Sequence, residues 1–172
     1  MRKLFVKPDM QVATVNAASP RCVSEIKSSS GIEPTPPGLR VVSVLDISEG
    51  ILKQCGIERG MHVVELACGA GDASLSIAKV VGPTGLVVGI DESAEAIDAA
   101  ARRATVAGQC YWTRFVTADL DTFAPSERFD ALIVRQSLFR RGERFTFLRL
   151  SSYIRPHGII VIACGNLAGR RR

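Results

Sequence analysis

The chain has 172 residues, a net charge of +5 and 47% hydrophobic residues, which suits one domain with enough apolar content for a packed core. That balance excludes wholesale disorder. It also excludes a membrane span, because the longest apolar runs, such as Gly158–Cys164, fall far short of the roughly 20 residues a spanning helix needs.

The N-terminal MRKLFVKPDMQV begins with basic residues but breaks at Lys7–Pro8–Asp9. It has no continuous apolar segment and no small-residue cleavage site, so no signal peptide is read and a cytoplasmic address is expected. Residues 1–38 are expected to form a flexible arm, because Ser28–Ser29–Ser30–Gly31 and Pro34–Thr35–Pro36–Pro37–Gly38 break any regular pattern. From Leu39 to Cys55, Val41, Val44, Leu45, Ile51 and Leu52 recur at roughly helical spacing, with Gly56 as a stop.

Regular alternation follows. His62–Ala67 reads as a buried strand, Asp72–Val81 as a helix ended by Gly82–Pro83–Thr84–Gly85, and Leu86–Ile90 as an apolar strand. Ser93–Gly108 is an Ala-rich helix with Ser93 available as N-cap. Trp112–Thr117 and Phe129–Val134 are further strands. Glu143–Ile154 is a helix stopped by Arg155–Pro156–His157–Gly158, and Ile159–Cys164 is the fifth strand of the alternation. Apolar strands separated by helices predict βαβ units, hence a mostly parallel α/β sheet of about five strands with helices on both faces. This domain covers residues 39–165, and a basic tail, residues 166–172, follows it.

Charge is unevenly spread. From Arg135 to Arg172 there are nine arginines and one glutamate, whereas Gly56–Val134 holds six basic and eleven acidic residues. The basic end is one place where nucleic acid or an anion could be held, but a solvated helix face plus an arginine tail explains it as well. The cysteines, Cys22, Cys55, Cys68, Cys110 and Cys164, are odd in number, and no pair has metal-ligand spacing. His62 and His157 are far apart in the chain. No metal site is expected, and the thiols are expected to be reduced.

The most informative stretch is VVELACGAGD, Val63–Asp72. A buried strand ends in Glu65–Leu66, and Ala67, Gly69, Ala70 and Gly71 then make a turn of minimal side-chain bulk. Glycines allow a sharp bend and a close ligand approach, and the following helix aims its free N–H groups into the same space. In an open α/β sheet this is where ligands bind, beyond the carboxyl ends of the strands. A dinucleotide site wants G-x-G-x-x-G, but Gly69-Ala70-Gly71-Asp72-Ala73-Ser74 lacks the third glycine and puts Asp72 where pyrophosphate would sit. A ligand carrying an ammonium and a sulfonium, without phosphate, suits Glu65 and Asp72 better. Asp91 ends the next strand in VVGIDES, where a carboxylate can accept two bonds from a ribose diol. Asp119 follows the third strand in FVTADL, placed to accept from the exocyclic amine of adenine. One acid at each of three successive strand ends is a more specific pattern than any acid alone.

VVELACGAGD, VVGPTGLVVGIDES, FVTADL, FDALIVRQSLF and YIRPHGIIVI resemble, in that order, the motifs of the class I S-adenosylmethionine-dependent methyltransferases. The resemblance is strongest to the bacterial group similar to ubiquinone/menaquinone-biosynthesis methyltransferases. It implies S-adenosylmethionine as cofactor, a Rossmann-like sheet, and methyl transfer to a substrate O, N or C atom. By the same resemblance Glu65, Gly69 and Gly71 frame the methionine part of the cofactor, with Ala67, Cys68 and Asp72 in the same motif. Asp91, followed by Glu92, binds the ribose, and Asp119 with Leu120 flanks the adenine. Arg135 falls where the family contacts the cofactor or lines the substrate side.

The sequence departs from the family in three places. Ala67 replaces the glycine that opens the first motif, and His157 replaces a glycine in the "PGG" turn. A histidine with φ > 0 there costs about 1 kcal/mol. The family normally adds a helix and an antiparallel hairpin after the fifth strand, and this sequence ends before them. The fifth strand is then expected to be an exposed apolar edge, open to homodimerisation. The expected function is methyl transfer to an unidentified small molecule. Two alternatives are a truncated, non-catalytic cofactor- or partner-binding protein, and a nucleotide- or RNA-binding module using the basic end.

Overall fold

A computed structural model describes residues 14–15, 39–135, 137–138 and 147–163. The strands are β1 (Thr14–Val15), β2 (Arg40–Val44), β3 (His62–Leu66), β4 (Leu86–Asp91), β5 (Thr113–Thr117), β6 (Phe129–Arg135) and β7 (Ile154–Ala163). The helices are α1 (Glu49–Gln54), α2 (Asp72–Val81), α3 (Ala94–Val106) and α4 (Phe147–Ser151). Among the described residues, one sheet holds all seven strands in the order β1-β2-β7-β6-β3-β4-β5. Every pairing in it is parallel.

Parallel strands covered on both faces read as continuous apolar runs, and successive residues then enter opposite cores. Val63, Ala131, Ile133 and Val161 join one cluster with Ile51 and Leu52 of α1 and Ile77 and Val81 of α2. Their neighbours Val64, Leu132, Val134 and Ile160 join the other, with Leu150 of α4. The helix α3 packs on β4 and β5 at the sheet's edge. The mostly parallel sheet with helices on both faces is therefore present.

The expected helix over Leu39–Cys55 is not one element. Arg40–Val44 is β2, and only Glu49–Gln54 is helical, with Ser48 as N-cap. The RVVSV run is β-branched, and such residues favour a pleated surface over a helix. The strand also has an apolar partner waiting, since β2 pairs with β7 from Arg40↔Ile159 to Val44↔Ala163.

That pairing corrects a second expectation. The fifth strand of the alternation, β7, is not an exposed edge, because β6 lies on one side of it and β2 on the other. A homodimer through that edge has no free strand to use. The position beside β7 is taken by a parallel strand from earlier in the chain, and β1 adds to it through Thr14↔Ser43 and Val15↔Val44. The rest of the 1–38 arm and the basic tail, 166–172, lie outside the described residues.

The last strand is also longer than expected. Ile154 pairs with Phe129 and Ile159 with Ala131, so residues 155–158 bulge out of the ladder. His157, in that bulge, has φ 66°, the left-handed conformation anticipated for it.

Candidate functional site at the carboxyl edge of the sheet

The strand order places β4 and β5 on one side of β3, and β6 and β7 on the other. A topological switch point therefore lies between β3 and β6, and ligands of open α/β sheets bind in the crevice such a point leaves. Glu65, Asp91 and Arg135 stand at the carboxyl ends of β3, β4 and β6, and Asp119 follows β5. The structure thus brings these four residues to one edge on adjacent strands.

The turn after β3 is built from left-handed residues, with Ala67 at φ 58°, Gly69 at 54° and Gly71 at 82°. The two glycines serve different ends. A Cβ on Gly71 would lie 2.9 Å from the Cβ of Ala100 in α3, so close helix packing requires its absence. A Cβ on Gly69 would meet nothing within 4 Å, so the backbone there borders open space. Gly71 is the N-cap of α2 and offers no side-chain bond to it. The first N–H groups of that helix therefore remain available to a ligand's polar groups.

Asp91 binds this turn to β4. Its Oδ2 accepts from the Gly69 N–H at 2.7 Å and its Oδ1 from the Ser93 N–H at 3.0 Å. Each carboxylate oxygen keeps further acceptor capacity, so a diol can still be bound. Glu92, the next residue, is exposed.

Glu65 is 2% exposed and accepts from the fully buried Ser74 Oγ at 2.5 Å. Burial pushes its pKa up from 4.5 to about 7; the Ser74 bond and the Arg135 charge pull it down, while Asp72 and Asp91 push it further up. Cys68 is buried next to it, and burial, then the charges of Glu65 and Asp91, push the thiol up to about 12. Such a thiol stays neutral and is no nucleophile.

Two further residues of the predicted set make contacts of their own. The Asp72 carboxylate is turned outward to Arg103 of α3, with Nη2···Oδ1 at 2.5 Å, and Arg103 Nη1 donates to the Ala70 carbonyl at 2.8 Å. Asp72 thus clamps the glycine turn to α3, and its charge reaches Glu65 only as a neighbour. The Leu120 side chain lies in the second apolar cluster, so it is core, and only its backbone is left to meet an adenine. Asp119 is exposed, and its Oδ1 accepts from the Asp121 N–H at 2.7 Å.

Ser74 and Arg103 were missed by sequence reasoning. Arg103 follows Ala100 by three positions on one helix face, and Ala100 is what Gly71 packs on. That spacing was the available signal. A separate cavity of about 360 Å³, lined by Lys53, Ile57, Glu58, Arg59, Lys79 and Val80, lies near the C-terminal end of α2. That is the opposite edge of the sheet, away from these acids.

A sequence profile described as a methyltransferase domain matches residues 57–169, about two thirds of the chain. The chain belongs to the class I S-adenosylmethionine-dependent methyltransferases. It is 31% identical over 122 residues to the probable cobalt-precorrin-6B C(15)-methyltransferase (decarboxylating) of Thermoplasma acidophilum, covering 67% of this chain and 56% of that one. It is 42% identical over 43 residues to a demethylmenaquinone methyltransferase of Staphylococcus aureus, covering 25% of this chain and 18% of that one. The fold matches a solved methyltransferase from Thiobacillus denitrificans in complex with S-adenosyl-L-homocysteine, with a TM-score of 0.57 at 22% identity over 66% of this chain and 46% of that one. This methyltransferase chain thus spans little more than half the length of the first relative and far less of the second. S-adenosylmethionine is the cofactor of the family, and the residues here fit it. A buried acid, an open glycine turn and uncapped helical N–H groups are what an ammonium, a close-lying chain and a carboxylate require. Among the described residues no helix is long and apolar enough to cross a membrane, and no cluster of acidic, histidine or cysteine side chains could hold a metal ion.

Proposed function

We propose that this methyltransferase domain binds S-adenosylmethionine at the carboxyl edge of its sheet and catalyses methyl transfer to a small organic acceptor. The observation that carries this reading is the meeting of Glu65, Asp91 and Asp119 at the ends of three adjacent strands around the Gly69 opening. When bound, the cofactor supplies a methyl group activated on a sulfonium. The chain's own residues bind and orient. Glu65 presents buried negative potential to the methionine end, and Asp91 holds the turn while offering acceptors to the ribose. Asp119 and the Leu120 backbone flank the adenine, and Arg135 lines the side toward β6. Transfer to a competent nucleophile depends mainly on positioning, and Cys68, held as a neutral thiol, takes no covalent part.

The relative named for C(15) methylation of cobalt-precorrin-6B and the one named for demethylmenaquinone support a small-molecule acceptor. The test is calorimetric titration of the chain with S-adenosylhomocysteine, followed by turnover with S-adenosylmethionine against quinols, phenols, amines and tetrapyrroles. Micromolar binding and turnover with one class support the reading. A folded chain that binds no S-adenosylhomocysteine would overturn it.

A further inference from the structure

Ser74 lies in the first turn of α2, fully buried, and among the described residues it is the hydrogen-bond partner of the buried Glu65 carboxylate. A polar pair sealed in a core has to be satisfied internally, and a lone buried carboxylate avoids its charge unless something compensates it. We propose that Ser74 is a positioning residue of the cofactor site: it holds Glu65 in one orientation, ready to ionise, so that binding of the cofactor's cationic methionine part expels one proton from Glu65 to solvent. This inference rests on the S-adenosylmethionine reading above and adds the proton and the residue that governs it.

The surroundings of Glu65 support this balance. The turn contributes Cys68, α2 contributes Asp72, β4 contributes Asp91, and β6 contributes Arg135. Cys68 is neutral, the two acids oppose ionisation, and among the described residues Arg135 is the charge that favours it. Asp72 is itself paired with Arg103. Ser74 donates to Glu65 Oε2, and donation to a carboxylate favours the charged form. A ligand ammonium or sulfonium beside this group adds the missing positive charge, where low polarisability makes it count most. One cation enters and one proton leaves, so the buried site gains no net charge.

The consequence is a linkage between binding and pH. Where free Glu65 is protonated, binding has to remove the proton, and affinity weakens by up to about tenfold per unit of falling pH. Above neutrality Glu65 is already ionised, and affinity levels off.

The test is titration with S-adenosylhomocysteine, which keeps the ammonium, from pH 5.5 to 8.5 in two buffers of different ionisation enthalpy. The wild-type chain is expected to release close to one proton per site near pH 6 and almost none at pH 8.5. Ser74→Ala is expected to move the midpoint upward and weaken binding severalfold at pH 7, while Glu65→Gln gives a flat profile without proton release. Binding by the wild type with no proton release and no pH dependence overturns the inference but leaves the cofactor reading intact. A Ser74→Ala chain with the wild-type profile also overturns it. Should Ser74→Ala not fold, proton release that persists in Glu65→Gln overturns it instead. A folded wild type that binds nothing at any pH overturns both.

Discussion

The backbone N–H of Gly69 donates to Asp91 Oδ2 at 2.7 Å, joining the turn after β3 to the end of β4. One carboxylate thereby shapes the turn of the proposed cofactor site and is the residue proposed to hold the ribose. Asp91→Ala removes both this bond and the one from Ser93. It is expected to weaken S-adenosylhomocysteine binding by about 1–3 kcal/mol, the range for charge-assisted bonds left unmade. It is also expected to lower the urea midpoint. Unchanged affinity, measured by calorimetry, would mean that the ribose is held elsewhere.

The two glycines of the turn separate packing from binding. Gly71→Ala places a methyl 2.9 Å from the Ala100 Cβ and 3.4 Å from Phe115 Cε1 at a left-handed φ. Strain and overpacking together should destabilise the fold by about 2–4 kcal/mol. Gly69→Ala carries the strain without the clash and should cost about 1 kcal/mol, yet its methyl enters the open space. Denaturation should rank Gly71→Ala as the worse folder. Ligand titration should find Gly69→Ala impaired even though it folds.

Ala67 and His157 are the described non-glycine residues with positive φ, at 58° and 66°. Replacing either by glycine removes about 1 kcal/mol of strain, partly offset by the greater freedom of the unfolded chain. Each single variant is expected to raise the unfolding midpoint slightly, and the double variant to add the two gains, because the sites are far apart. A fall in midpoint for Ala67→Gly would show that its methyl, packed against the second cluster, outweighs the strain.

Removal of residues 1–44 deletes β2 and uncovers the β7 edge from Ile159 to Ala163. A bare apolar edge pairs with whatever strand is available. The shortened chain is expected to elute as larger species than the full chain, or to precipitate. A soluble monomer of native spectrum would show that β2 contributes little.

Glu65 should impose a pH dependence on stability. Its pKa rises from an ordinary 4.5 to about 7 on folding, so the folded state binds the extra proton between those values. The stabilisation is fully present below about pH 4.5 and is lost as pH rises through 7, amounting to roughly 3 kcal/mol when complete. Urea unfolding at pH 5.5 and 8 should show the wild type losing more stability with rising pH than Glu65→Gln. Parallel curves for the two chains would show that Glu65 is ionised in the native state throughout.

Much of the fold was written locally. VVELACGAGD announces a strand, a turn and a helix because buried parallel strands need unbroken apolar runs, and a tight turn needs glycines wherever they fall. The same holds for the acids at the ends of β4 and β5, since a residue just past a strand has to lie at the sheet's edge. Sequence by itself therefore determined the order of these βα units and the family, and it pointed to the edge of the sheet where the proposed site lies. It did not determine partners distant in the chain. RVVSV could follow a helical or an extended period, and pairing with Ile159–Ala163, more than a hundred residues on, decided for the strand. The pairing of Asp72 with Arg103 and the enclosure of the Leu120 side chain by the second cluster could not be read from the motif. Ser74 had no visible role until α2 folded back over β3 and set it against Glu65. Local propensities are additive along the chain and can be read in order. Burial and pairing depend on which surfaces meet, and only the tertiary structure brings those surfaces together.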